Sequence, residues 1–264
     1  MIRLLKIELL KIKSFRPFLL IVGAYLFFVP FTFISTYKVL SFNSIPFLPT
    51  SNQYFGFPDV YGYITYIMGW WTLFLSVLVI MITYNEINYK TERQNIIDGL
   101  SRKEFFLGKL YLFTGLSFAA LAFAFLIALI SGIISKDMSE VFSGIVQLLA
   151  FFIQSMSYFS LAFFLIVLIR RATVAIIVFM FLLFLEHFYT YQLGDVMAQY
   201  FFVNAFSDLT QFPLVTKFMT LENIDDVNFK MPYNLPQSIR LIVATIYTTI
   251  FFWGSYLLIK KRDL

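Results

Sequence analysis

Few side chains in this 264-residue chain have the types and spacing for chemistry. Glu186 and His187 form the one acid–base pair set inside an apolar run, and His187 is the sole histidine. Adjacent residues of a helix point about 100° apart, so the two do not converge as a catalytic dyad. Glu186 alone could couple protons, meet a cationic substrate group or gate an outer mouth. Equally, it could be a protonated or tyrosine-bonded carboxyl beside Tyr189 and Tyr191. With no cysteine and one histidine, disulfides, thiol nucleophiles, thiolate metal centres and multi-histidine metal sites are excluded. The one Gly-Lys pair, Gly108-Lys109, is followed by Leu110, and Lys103 stands where the first P-loop glycine belongs. The phosphate cradle G-x-x-x-x-G-K-[S/T] is therefore missing, and no ATP hydrolysis is expected of this chain. No catalytic residue and no metal ligand is assigned. An intramembrane hydrolase or transferase needs clustered acids, histidines or a nucleophile, for which Glu186-His187 is too little.

A second constellation is polar without being reactive. Gln147 and Gln154 stand seven residues apart, with Ser157 and Tyr158 close to the same helix face. Such a stripe either lines a translocation path or hydrogen-bonds neighbouring helices together. Ser131, Gly132 and Gly144 suit close helix contact.

The elements holding these residues must sit in lipid. The chain is 60% hydrophobic and 13% charged, with 35 phenylalanines, which a soluble domain of this length could not hide. An all-α polytopic membrane domain over 1–264 is expected, with spans at about 17–37, 60–85, 104–135, 141–169, 172–192 and 239–259. The fifth is irregular, because only Ala172–Leu185 is free of charge and histidine. Of the 20 Lys and Arg residues, fifteen fall on the side that holds both termini. They are Arg3, Lys6, Lys11, Lys13, Arg16, Lys90, Arg93, Arg102, Lys103, Lys109, Arg170, Arg171, Lys260, Lys261 and Arg262. The positive-inside rule makes that side cytoplasmic. Residues 1–16 read as a basic interfacial helix with Ile2, Leu5, Leu9 and Ile12 on its apolar face. The first apolar run is too long for a cleavable signal peptide. Of the outer loops, Lys38–Asp59 is rich in proline and polar residues. Leu193–Ser238 carries Phe201, Phe202, Phe206, Phe212 and Phe218, which short membrane-dipping helices would bury. The absence of an internal repeat gives no support to an inverted-repeat secondary transporter.

Between the second and third spans lies one compact polar segment, Tyr89–Glu104. Thr91-Glu92-Arg93-Gln94 fits a capping box, and Gly99 fits the residue that closes a helix at positive φ. About two turns result, too short to be stable alone. Ile96, Ile97 and Leu100 are expected as its buried contacts, against the surrounding helix ends or a partner, with Glu92 and Arg93 nearer the surface. Ser101-Arg102-Lys103-Glu104 is a second capping box, opening the third span.

This segment resembles the corresponding stretch of ABC-2-type permeases, the membrane subunits of bacterial ABC exporters. There an acidic residue precedes a Gly/Lys-Thr pair, then an apolar pair, Ser-Arg and Gly-Lys. Here these are Glu86, Lys90-Thr91, Ile96-Ile97, Ser101-Arg102 and Gly108-Lys109, with Lys90 where many members carry glycine. The six-span layout with a basic amphipathic N-terminus is similar too. The resemblance implies that Thr91, Glu92, Arg93, Gln94, Ile96, Ile97 and Leu100 form a coupling helix docking on a separate cytoplasmic ABC ATPase subunit. ATP and Mg would be bound by that partner and no cofactor by this chain. It further implies a homodimer or heterodimer of permeases in the bacterial cytoplasmic membrane, exporting an amphipathic or hydrophobic substrate without contact to nucleic acid. Gln147, Gln154, Ser157 and Glu186 are the candidates for its path or its packing. The other reading of the capped helix is a non-transporting anchor or assembly factor for a cytoplasmic partner.

Overall fold

A computed structural model describes residues 8–12, 15–42, 55–97, 99–135, 140–193, 197, 199–211 and 235–261. The described residues are helical apart from turns, with no strand among them. After a short helical stretch at 8–12 come α1 (Arg16–Phe42), α2 (Val60–Asn88), α3 (Thr91–Ile97) and α4 (Arg102–Ser135). They are followed by α5 (Ile145–Ile169), α6 (Ala172–Leu193), α7 (Phe202–Ser207) and α8 (Gln237–Lys261). Five of them (α1, α2, α4, α5 and α8) contain stretches long and apolar enough to cross a membrane. α6 is apolar only over Ala172–Leu185. This is the build of a polytopic helical membrane protein.

α5 forms the centre. Its small and apolar residues Ala150, Phe151, Phe159, Ala162, Phe163 and Ile166 are fully buried. It packs between α2 and α8, with α4 and α6 also against it and α1 outside on α2. Ser157 and Thr248 share a hydroxyl–hydroxyl hydrogen bond of 2.7 Å across the α5–α8 contact. Side chains facing away from this core are apolar as well. Leu19, Leu20, Phe27 and Phe31 on α1, and Ile242, Ile246, Ile250 and Trp253 on α8, are exposed. That inversion of the soluble pattern is what a lipid solvent selects.

Several boundaries differ from the sequence expectation. α1 runs on to Phe42, with Pro30 accommodated inside it. α5 begins at Ile145 rather than at 141, because Gly144 takes φ +92° and turns the chain into the helix. Ser131 and Gly132 receive the 55–59 turn instead of another helix. The Ser131 hydroxyl donates to Phe55 O (2.8 Å), and a Cβ on Gly132 would meet the Phe57 ring at 2.2 Å. α7 does lie against the bundle, with Phe206 fully buried among Tyr158, Tyr247 and Phe251. The N-terminal helix outside 8–12, the loop residues 43–54 and the loop residues 212–234, which include Phe212 and Phe218, lie outside the described residues.

Candidate functional site

One end of the bundle collects the start of α1, the end of α2, all of α3, the start of α4, the α5–α6 junction and the end of α8. Described basic residues there are Lys11, Arg16, Lys90, Arg102, Lys103, Lys109, Arg170, Arg171, Lys260 and Lys261. Arg102 Nη1 donates to Lys260 O at 2.5 Å, tying α4 to α8. The second capping box forms as its sequence dictates. Glu104 N–H donates to Ser101 Oγ (3.2 Å), and Ser101 N–H donates to Glu104 Oε2 (2.8 Å).

α3 is closed at its far end by Gly99, at φ +99°. Leu100 N–H donates to Asn95 O at 3.0 Å, the six-to-one bond of a Schellman ending. Its near end departs from the expected capping box. Lys90 adopts φ +55° and its carbonyl accepts the first helical bond from Gln94 N–H (3.1 Å), so Thr91 is already the first residue of the helix. The Thr91 hydroxyl turns back and donates to Glu86 O at 3.4 Å, serving the frayed end of α2.

The sides of α3 are also exchanged relative to the expectation. Glu92 is buried, bordering a narrow gap with Thr83, Phe105, Arg170 and Ile259. Ile97 is 76% exposed, and Leu100 is half-buried. Tyr89 just before α3 is exposed too. Lys90, not Thr91, opens the helix, and the helix that starts there turns Glu92 inward and Ile97 outward. The side chains of Arg93 and Ile96 lie outside the described residues.

Beneath α3 sits a buried charge network that composition and spacing did not disclose. Lys109, in α4, is fully buried. Its ammonium donates to Glu8 Oε2 at 2.5 Å and pairs with Glu86 Oε1 at 2.7 Å. Lys11 bridges the same acids, at 3.1 Å from Glu8 Oε1 and 3.1 Å from Glu86 Oε1. The Lys109 ammonium also lies 5.6 Å from the centroid of the Phe105 ring. Two carboxylates and two ammonium groups thus join the 8–12 stretch, α2 and α4 with no net charge. Burial by itself pushes the Glu8 carboxyl up, but the charges and hydrogen bonds of Lys109 and Lys11 outweigh it and hold the carboxyl below its usual range. Asn95 and Leu100 of the α3 segment border a small gap with Glu8, Lys11 and Gly108, so α3 lies beside this network. A readable hint existed in Glu8 and Lys11, three apart on one helical face.

The proposed path residues go to different places. Gln154 is buried and accepts from the Thr210 hydroxyl at 2.9 Å, and a Cβ on Gly69 would meet both side chains at 3.0 Å. It is engaged in seating the α7 segment against α2 and α5. Ser157 is buried in the α5–α8 contact. Gln147 instead lines a cavity of about 340 Å³ at the end opposite the basic residues, with Asp59, Ser143, Gln211, Gln237 and Arg240. The side chains of Glu186 and His187 lie outside the described residues. Among the described residues no group of three or more His, Asp or Glu side chains is arranged to hold a metal ion.

No curated protein and no solved structure matches this chain. A family model does, over residues 18–264, from the first turn of α1 past the end of α8. The chain belongs to the family described as protein of unknown function (DUF2705).

Proposed function

We propose that this chain is the membrane subunit of an ATP-driven exporter of the ABC-2 type, with α3 as the helix that receives force from a separate cytoplasmic ATPase. In this reading α6 is the sixth span, its 22 residues covering about 33 Å at 1.5 Å per residue. The basic end faces the cytoplasm. Two such subunits enclose a path for an amphipathic or hydrophobic substrate, and ATP and Mg belong to the partner.

The observation that carries this reading is the exposure of Ile97 on a two-turn helix at the basic end. A short helix gains its stability from packing, and the apolar side chain held out at its tip is uncovered among the described residues. The firmness of its mounting supports the same reading. The Thr91–Glu86 bond ties the start of α3 to α2, and the Schellman ending leads directly into the capping box that opens α4, so a push on α3 is delivered to two long helices.

The test is co-expression and co-purification of this chain with a candidate P-loop ATPase of the ABC type. Ile97→Asp is expected to lower ATPase retention by about tenfold or more, the cost of burying an unpaired carboxylate at a contact, while membrane insertion is unchanged. Retention equal to wild type overturns the docking assignment. Stable binding with an ATPase rate indifferent to this subunit would instead leave an anchor or assembly factor.

A further inference from the structure

The end opposite the basic residues holds a second site, independent of the exporter reading. Three helices begin there, α2 at Val60, α5 at Ile145 and α8 at Gln237, and their first turns border the cavity of about 340 Å³. That volume is at the lower end of the range typical of small-ligand pockets. Its polar lining is rich in donors. Gln147, Gln211 and Gln237 present side-chain amides, and no hydrogen bond among the described residues engages them. Arg240 lines it as well. Its Nη1 donates to Asp208 O at 2.7 Å, while Nε is shut off from solvent with no partner among the described residues. A guanidinium has five N–H donors, and among the described residues this one makes a single hydrogen bond.

A cation with unspent donors, three free amides and three converging helix starts suit an oxyanion. Asp59 also lines the cavity and Asp208 is close to Arg240, so the site tolerates little added negative charge. A singly charged phosphodiester satisfies both conditions, whereas a phosphate monoester dianion does not. We propose that this cavity binds a phosphodiester group, with Arg240 supplying the charge and Gln147, Gln211 and Gln237 the neutral donors. The group has two sources, the headgroup of a phospholipid in the surrounding leaflet or a soluble phosphodiester.

The experiment uses the full chain purified in an uncharged detergent, without any ATPase, so its failure leaves the exporter reading standing. Dihexanoylphosphatidylglycerol, dimethyl phosphate and uncharged dihexanoylglycerol are titrated and binding is read by thermal shift and calorimetry. Saturable binding of the phosphatidylglycerol is expected, weakened about tenfold by Arg240→Gln, the loss of a charge-assisted contact. Gln147→Leu should weaken it by a smaller factor, and dihexanoylglycerol should not saturate. Binding of the lipid alone identifies a headgroup site, and binding of dimethyl phosphate as well extends it to soluble diesters. Arg240→Gln also removes the bond to Asp208 O, so its melting curve is recorded, and Gln147→Leu decides if that variant does not fold. Absence of saturable binding to either phosphodiester overturns the proposal, as does binding that neither substitution changes.

Discussion

At the scale of single residues, the polar segment between α2 and α4 is set by two backbone positions. Lys90 sits at φ +55° and Gly99 at φ +99°, and between them the chain makes α3. A left-handed residue is strained for any side chain but costs glycine nothing. At Gly99 the strain can be isolated, because a Cβ there would meet nothing within 4 Å. Gly99→Ala is therefore expected to cost about 1 kcal/mol from backbone strain alone. Local hydrogen exchange at Leu100, whose N–H closes the Schellman bond, should rise about fivefold. Unchanged exchange at Leu100 would mean that the helix end is held by packing rather than by this turn. The glycine was readable from sequence, since few residues fit a helix-closing position. The Lys90 turn was not, because a lysine carries no preference for positive φ. The exposure of Glu92 and Ile97 is likewise the reverse of the one expected from the sequence.

Among elements, the 8–12 stretch, α2 and α4 are joined by charges rather than by apolar packing alone. Buried ion pairs contribute little net stability over an apolar replacement, but removing one partner strands the others at a cost of about 3–5 kcal/mol. Lys109→Met is expected to fall in that range, because Glu8 and Glu86 then share only Lys11. Adding Glu8→Gln should restore part of the loss, since it removes the surplus negative charge. The measurement is a thermal melt in detergent, with trypsin cleavage near Lys13 reporting release of the N-terminal stretch. If the double variant melts no higher than Lys109→Met, Lys109 acts by filling volume and not by charge. The elements themselves were legible in the sequence, as uninterrupted apolar runs admit only helices in lipid. Their partners were not. Lys109 reads as one more flanking cation until α4 is seen to start at Arg102, which places it two turns inside. Gln154 and Ser157 read as a polar stripe, and only the fold shows Thr210 and Thr248 arriving to meet them.

Across the whole molecule, the two ends carry acids whose shifts have opposite signs. Glu8, at the basic end, has its carboxyl held below the ordinary value of 4.5. Its contribution to stability is complete above 4.5 and is lost as pH falls through the lowered folded value. At the opposite end, burial pushes the Asp208 carboxyl up from 3.8 to about 6, against the attraction of Arg240. Here the folded state holds the proton more tightly than the unfolded one, so stability rises as pH falls through about 6 and levels off near 3.8. Lowering pH from 7.5 to 5 should therefore slow hydrogen exchange, corrected for its intrinsic pH dependence, around α7 and the start of α8. Exchange at the start of α4 and in α3 should stay constant over that interval. A further drop through the lowered Glu8 value should loosen that basic end as Glu8 takes up its proton and the network is left with excess positive charge. Asp208→Asn is expected to abolish the first response and leave the second. A uniform response at both ends, or one that Asp208→Asn does not alter, would show that acid stability is set by charge elsewhere on the chain.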